Sequence, residues 1–364
     1  MVSTADAGRI AASYQSFSIG MLGSHSALEI ASGAKKQGCR TMVFCQKGRE
    51  QTYAKHYRNL FDDIVLVDKF QEIVERKNLE RLHAAGTIFV PNRSFAVYVG
   101  YDNIEAKFDV PLFGSRSMLR AEERDVQRNQ YYLLEQAKIS TPRRFANPDE
   151  IDRLCIVKVP EAGRKLERAF FYAASPAEYR NKLQERMRTG MVAVQDASKA
   201  VIEEFVVGAY FNANFFFSPL QQELELLGFD RRIQSDLDGI LHLPAEQQLE
   251  IKRATQNIEV GHMPATMRES LLEKVFVAGE NFVKAAKAEY PPGMLGTFAL
   301  QGSITKDLEF VVFDVSMRMP GSPVLESFSP YTTYKYGRHV SPGERTAMEI
   351  KRAFAEHRLA EIVT

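Results

Sequence analysis

One carboxylate, Asp314, sits inside the otherwise apolar run FVVFDVSMRMPGSP, and the stretch just upstream, FALQGSITKDLE, has the texture of a partner strand. If the chain turns around Lys306 to Glu309, Gln301 and Asp314 face each other across a hairpin, with Ser316 two positions along on the same face. Opposed oxygen ligands of this kind can hold the divalent ions that bridge nucleotide phosphates. Here one of the two positions carries an amide in place of an acid. Lys158, in CIVKVP, lies on a short strand, where an ammonium acts as a point charge on phosphate oxygens. The run IEEFVVG, holding Glu203, Glu204, Phe205 and Val206, has the make-up of an interdomain hinge. Its backbone can bond an adenine edge while its acids take ribose hydroxyls. A strand Lys or Asp in isolation is usually an edge charge; the order of the whole set carries more weight.

A second constellation lies near the N-terminus. In MLGSHSALE a strand ends at Leu22, Gly23 permits a tight turn, and Ser26 with Glu29 has the spacing of a capping box at a helix start. Free N–H groups at a helix N-terminus favour a phosphate, and His25 on the turn can reach a ligand bound there. The plainer interpretation is a strand-to-helix turn with an exposed histidine. In VPNRSFAVYVG, residues Asn92, Arg93 and Ser94 follow the strand TIFV and face the same rim, at the carboxyl ends of the strands. Arg93 can pair with a phosphate and Ser94 can donate to it. The bland version is a polar loop.

These groups need a scaffold, and 364 residues leave room for two or three packed domains. Lys and Arg number 47 and Asp and Glu 46, so a formal charge of +1 provides no broad field for nucleic acid or an anionic membrane. No stretch reaches the roughly 18 apolar residues of a membrane span, and MVSTADAGRIAASYQ lacks the long apolar core of a secretory signal. Cys39, Cys45 and Cys155 show no CxxC spacing and cannot all pair, which points to a reducing, cytoplasmic setting.

The strands FSIGML, CRTMVFC, FDDIVLVD and GTIFVP alternate with helix-period stretches such as SALEIASGAKKQG, so an α/β domain of Rossmann type is expected over residues 1–122. A charged, helix-forming run, MLRAEERDVQRNQYYLLEQAKI, follows. Beyond it the texture is mixed α+β with antiparallel pairs: the strand CIVKVP, the helix SPAEYRNKLQERMRTG and the long β run AVIEEFVVGAYFNANFFFSP. The helices TMRESLLEKVFVAGENFVKAAKAEY and SPGERTAMEIKRAFAEHRL flank the hairpin.

In this order the pieces resemble the ATP-grasp superfamily and, more closely, the archaeal formate-dependent phosphoribosylaminoimidazolecarboxamide ligases, the PurP family. The resemblance runs nearly end to end, through LGSHSALEIASGAKKQGCRT, CQKGRE, VPNRSFAVYVG, PLFGSRSMLRAEERD, VVGAYFNANFFFSPLQQELELLGFDRR, MRESLLEKVF, PPGMLGTFAL, DLEFVVFDVSMRM and SPYTTYKYG. It implies a Rossmann-like domain over 1–122 and an ATP-grasp body over 123–364, with a lid near 140–206 and a nucleotide and metal subdomain near 207–364. It also implies an ATP-dependent carbon–nitrogen ligase that phosphorylates formate and passes the formyl group to the amine of an aminoimidazole carboxamide ribotide (AICAR). The cofactors would be ATP and Mg2+ or Mn2+, in a homo-oligomeric enzyme of purine synthesis.

By the same resemblance His25, Ser94 and His262 match ribotide-contacting positions; Lys158, Glu203, Glu204, Phe205, Val206 and Gln234 match the ATP site; and Gln301 with Asp314 match the metal pair. The chain departs from the family in five places. Glu is usual at both 301 and 314, Glu at 234, and Asn at 262. In KVPEAGRKLERAFFYA a glycine-rich phosphate loop is replaced by a stretch that keeps only Gly163 and carries Arg164, Lys165 and Arg168. The alternative is a divergent family copy that binds nucleotide or ribotide without ligating, as a partner of an active one.

Overall fold

The computed structural model describes residues 1–159, 169–251 and 258–364. The alternating first third forms a four-stranded parallel sheet in the order Asp63–Val67, Arg40–Gln46, Ser18–Leu22, Thr87–Phe89. Every side chain of Ser18–Leu22 is buried, which is why the strand reads as an unbroken apolar run. Helix Ala27–Lys36 covers one face, and Gly38, at φ +72°, turns the chain away after it.

The end of the chain returns to this sheet. Helix Pro342–Ala355 lies so close to Ala27–Lys36 that a Cβ on Gly33 would fall 2.1 Å from the Glu344 nitrogen. Leu112 N–H donates to the Thr364 carbonyl at 3.1 Å and Thr364 N–H to the Leu112 carbonyl at 2.9 Å. The buried Arg116 guanidinium donates to the Thr364 carbonyl at 2.7 Å as well. Ile350, Ala353, Ile362 and Val363 share a core with Ile19, Met21, Ile30 and Ile88. Residues 342–364 therefore pack with the first sheet, although sequence pattern alone groups them with the second body.

The long β run divides between two sheets. Val201–Glu204 joins a small antiparallel sheet, in the order Arg144–Phe145, Val201–Glu204, Cys155–Val159, Ala169–Ala173. Ala209–Ser218 becomes the middle strand of a five-stranded antiparallel sheet ordered Glu259–Ala265, Glu223–Gln234, Ala209–Ser218, Gly296–Ile304, Phe310–Ser316. Residues 205–208 are the crossing between them. Helix Glu269–Glu289 buries Val275, Phe282 and Ala286 against the larger sheet.

The charged run before the second body is not one helix. Helix Arg116–Ala121 stops, residues 122–129 form turns, and Gln130–Gln136 starts afresh. Asn129 caps the new start, its Oδ1 accepting from Tyr131 N–H at 3.0 Å and Tyr132 N–H at 3.2 Å. Helical propensity loses here because Glu122, Glu123 and Arg124 each engage a distant ionic partner. Among the described residues no helix is long and apolar enough to cross a membrane.

Candidate active site

The turn after Ser18–Leu22 is held from across the sheet. Asn92, fully buried, donates through Nδ2 to the carbonyls of Leu22 at 3.0 Å, Ser24 at 2.9 Å and His25 at 2.9 Å, and accepts from Phe95 N–H at 3.0 Å. His25 and Ser26 adopt positive φ, 27° and 59°. The capping box expected there does not form. With Ser26 left-handed, its hydroxyl donates to the Pro320 carbonyl at 3.0 Å instead of capping the helix. The loop that receives it closes over His25: a Cβ on Gly321 would lie 2.4 Å from the imidazole Cε1.

His25 is solvent-accessible yet surrounded by protein, as at the floor of an open cleft. That surrounding, with the charge of Arg318, lowers its pKa, so the ring is neutral at pH 7. Ser94 is buried at the start of the helical turn Phe95–Val99 on the same rim. Arg93, expected to be a phosphate ligand, is already ion-paired, through Nη1, with Glu122 at 3.4 Å and Glu123 at 3.1 Å.

Beside His25 lies a polar cluster built on the five-stranded sheet. Asp230, fully buried, accepts from Asn212 Nδ2 at 2.8 Å, Asn214 Nδ2 at 2.7 Å and Ser322 Oγ at 3.0 Å. His262 contacts Asp230 through Nδ1 at 2.6 Å and Glu259 through Nε2 at 2.9 Å. Burial works to lower the His262 pKa, but the two carboxylates outweigh it and raise the value to about 9. The ring is thus an imidazolium with both nitrogens occupied, and it stiffens the cleft wall. Arg232 pairs with Glu259 at 2.7 Å, and the partly buried Arg318 lies 3.5 Å from Glu122. Sequence pattern singled out His25 and the family resemblance His262, but neither pointed to Asp230 or Arg318. The signal for the former was YFNANFFF, where two asparagines at period two mark a polar face inside an apolar strand.

Glu29 adds a titratable group. It is 4% exposed, and neither carboxyl oxygen has a hydrogen-bond partner among the described residues. Burial first, then the nearby Glu326 carboxylate, raise its pKa to about 8. Opposing pulls come from the charge of His262 and, after it, from the Ser322 N–H. A carboxyl whose folded pKa lies above its ordinary 4.5 favours folding most below pH 4.5, and that contribution is lost as pH rises through about 8. Glu29→Gln should therefore gain stability relative to the natural protein as pH rises across this window, by up to about 1.4 kcal/mol per pH unit. Urea melts at pH 5.5 and pH 8.5 check it; equal differences at both pH values would show that Glu29 stays ionised.

The second half of the site lies where the small sheet meets the hairpin. Gln301 and Asp314 are register partners, as the turn placement required. Lys158 and Glu203 come together in the small sheet, 2.6 Å apart and both buried. Lys158 Nζ also donates to the Phe313 carbonyl at 3.2 Å, and Tyr131 Oη donates to Glu203. Burial pushes the Lys158 pKa down against the upward pull of Glu203. Glu203 thus holds Lys158 rather than standing free for a ribose, and Glu204 lies 3.4 Å from Arg153.

Phe205 makes edge contacts with Tyr172 and Tyr210, centroids 5.4 and 6.5 Å apart, and Tyr210 meets Phe313 at 5.6 Å. This aromatic series spans the crossing from the small sheet to the five-stranded one, with Val206 held by a 3.1 Å bond from Tyr210 Oη to its carbonyl. Gln234 ends its strand at a bulge opposite Glu259. Residues Gly163, Arg164, Lys165 and Arg168 of the expected phosphate loop lie outside the described residues.

The hairpin does not form the metal site anticipated for it. Asp314 Oδ1 accepts from Arg124 Nη2 at 2.7 Å, and Gln301 Nε2 donates to Ser316 Oγ at 3.3 Å. Among the described residues no group of three or more His, Cys, Asp or Glu side chains could hold a metal ion. One carboxylate already neutralised by a guanidinium, beside a neutral amide, does not fit a protein-held divalent ion.

Two family models cover most of the chain, one described as a domain of unknown function (DUF1297), over residues 178–364, the other as a protein of unknown function (DUF1246), over residues 19–145. The chain is 39% identical to the 5-formaminoimidazole-4-carboxamide-1-β-D-ribofuranosyl 5'-monophosphate synthetase of Methanobrevibacter smithii, across 95% of this chain and 94% of that one. It belongs to this synthetase family. A solved structure of an IMP biosynthesis protein PurP from Thermococcus kodakaraensis, 26% identical, superposes with a TM-score of 0.72 over 95% of this chain and 100% of that one. An ADP complex of the N5-carboxyaminoimidazole ribonucleotide synthetase PurK, 13% identical, aligns over 89% of this chain and 76% of that one at a TM-score of 0.60. The chain thus has the ATP-grasp fold.

Proposed function

We propose that the chain is an ATP- and formate-dependent ligase that formylates AICAR to its formamido product in purine synthesis. The observation that carries this is the near full-length relationship to synthetases named for that product. A formate oxygen attacks the γ-phosphorus of ATP, and ADP leaves with the bridging oxygen, giving formyl phosphate. The AICAR amine then attacks the formyl carbon, phosphate departs, and the nitrogen gives up a proton. Such a mixed anhydride must be kept from water, and the aromatic side chains where the two antiparallel sheets meet suit that need.

In this reading the ribotide lies along the His25 and Ser94 rim, with His262 and Arg318 behind it, while ATP lies between Lys158, the 203–206 crossing and Gln234. The 1–122 domain, with residues 342–364 packed on its sheet, and the rest of the 123–364 body, with a lid near 140–206, would close over both substrates. A divalent ion would enter with the ATP phosphates. The binding-only copy is the less favoured reading, because the relationship to named synthetases spans both halves of the chain.

Purified protein given ATP, magnesium, formate and AICAR should yield ADP and the formylated ribotide in equal amounts. ADP release with no formylated product would move the assignment to another amine. The double variant His25→Ala/Ser94→Ala should weaken AICAR binding at least about tenfold by calorimetry. Unchanged affinity would take the ribotide off this rim.

A further inference from the structure

The hairpin that does not fit a divalent ion carries a different cation. Arg124 Nη2 lies 2.7 Å from Asp314 Oδ1, Arg124 Nε bonds Tyr131 Oη at 3.2 Å, and the guanidinium sits 5.7 Å above the Phe170 ring. Tyr131 in turn donates to Glu203, which pairs with Lys158. Arg124 is therefore built into the same cluster as Lys158, on the side next to the hairpin. The carboxylates of Asp314 and Glu203 keep it firmly protonated against the cost of burial.

Among the described residues two cations, Arg124 and Lys158, pair with two anions, Asp314 and Glu203. A divalent ion approaching Asp314 would meet a fixed positive charge already in contact with its ligand. A triphosphate approaching the same place would meet that charge as a partner. Guanidinium has five donors in a planar fork, and only Nη2 and Nε are used in the Asp314 and Tyr131 bonds, so a phosphate can be taken without releasing either.

We propose that Arg124 is a resident cation of the nucleotide site, neutralising phosphate charge where a hairpin-held metal ion would otherwise do so. It follows that nucleotide binding by this chain persists without a divalent metal. The inference rests on the nucleotide-site reading above and goes beyond it.

The test is calorimetric titration of ADP into the full-length protein, in EDTA and in excess magnesium. Affinities in the two conditions are expected to agree within about tenfold. Arg124→Met should lose most of its affinity in EDTA and regain it in magnesium, because an ion carried in by the phosphates supplies the positive charge that Arg124 no longer does. Arg124→Lys, which keeps the charge, should retain binding in EDTA, and this variant guards against a folding defect in Arg124→Met. ADP bound only in magnesium by the natural protein would overturn the inference and leave the proposed function standing. So would an Arg124→Met variant that binds ADP in EDTA as well as the natural protein does. No ADP binding in either condition would remove the nucleotide site itself, and this inference with it.

Discussion

Lys158→Met is expected to unfold at markedly lower denaturant concentration and to show no ATP-induced thermal shift. The substitution leaves Glu203 buried beside Tyr131 without its cation. Breaking a buried ion pair by removing one partner costs about 3–5 kcal/mol, because the surviving charge has no water to return to. Lys158→Met/Glu203→Gln removes both charges and should recover much of that stability, since an amide can still accept from Tyr131. ATP binding should not recover with it. A ligand at a hundredfold excess over its dissociation constant stabilises by about 2.7 kcal/mol, and the double variant should lack that increment. Thermal melts of the natural protein and both variants, with and without ATP, separate the two effects. A full ATP shift in the double variant would make Lys158 a purely structural residue.

Asp230→Ala should be as damaging, for a related reason. The carboxylate is fully buried and serves Asn212, Asn214, Ser322 and His262 at once. Its loss leaves several buried donors unmatched and an imidazolium with one anionic partner in place of two, and we expect a cost of about 3–5 kcal/mol. The milder Asp230→Asn isolates the charge. His262 is raised from 6.5 to about 9 on folding, so its stabilising contribution is complete below pH 6.5 and is lost as pH rises through about 9. In Asp230→Asn that slope should flatten, so the variant falls furthest behind the natural protein near pH 6 and gains on it towards pH 9. Urea melts across this range read the difference. A variant whose deficit is constant with pH would mean that His262 is neutral in the folded chain. AICAR affinity should fall in both variants, because the His262 wall borders the His25 rim.

The contrast between these residues separates what the chain's local pattern carries from what folding adds. Period-two alternation, a turn at Lys306–Glu309 and the strand–helix alternation of the first third were enough to place Gln301 opposite Asp314 and to make the first sheet parallel. These are properties of neighbours along the chain, set by backbone geometry that a few residues dictate. The capping box at Ser26 and Glu29 was equally legible and did not form, because the buried Asn92 side chain reaches the His25 carbonyl from 67 residues away and the turn is left-handed.

Which charge meets which was not legible at all. Arg124 and Asp314 lie 190 residues apart, and nothing in RAEERD or FVVFDV marks them as partners. Arg93, which the loop composition offered to a phosphate, was taken instead by Glu122 and Glu123. The sequence by itself determined the parallel sheet, the hairpin and the family. Only the tertiary structure decided the ion pairs, since a charge brought out of water binds the opposite charge enclosed with it, wherever along the chain that charge began.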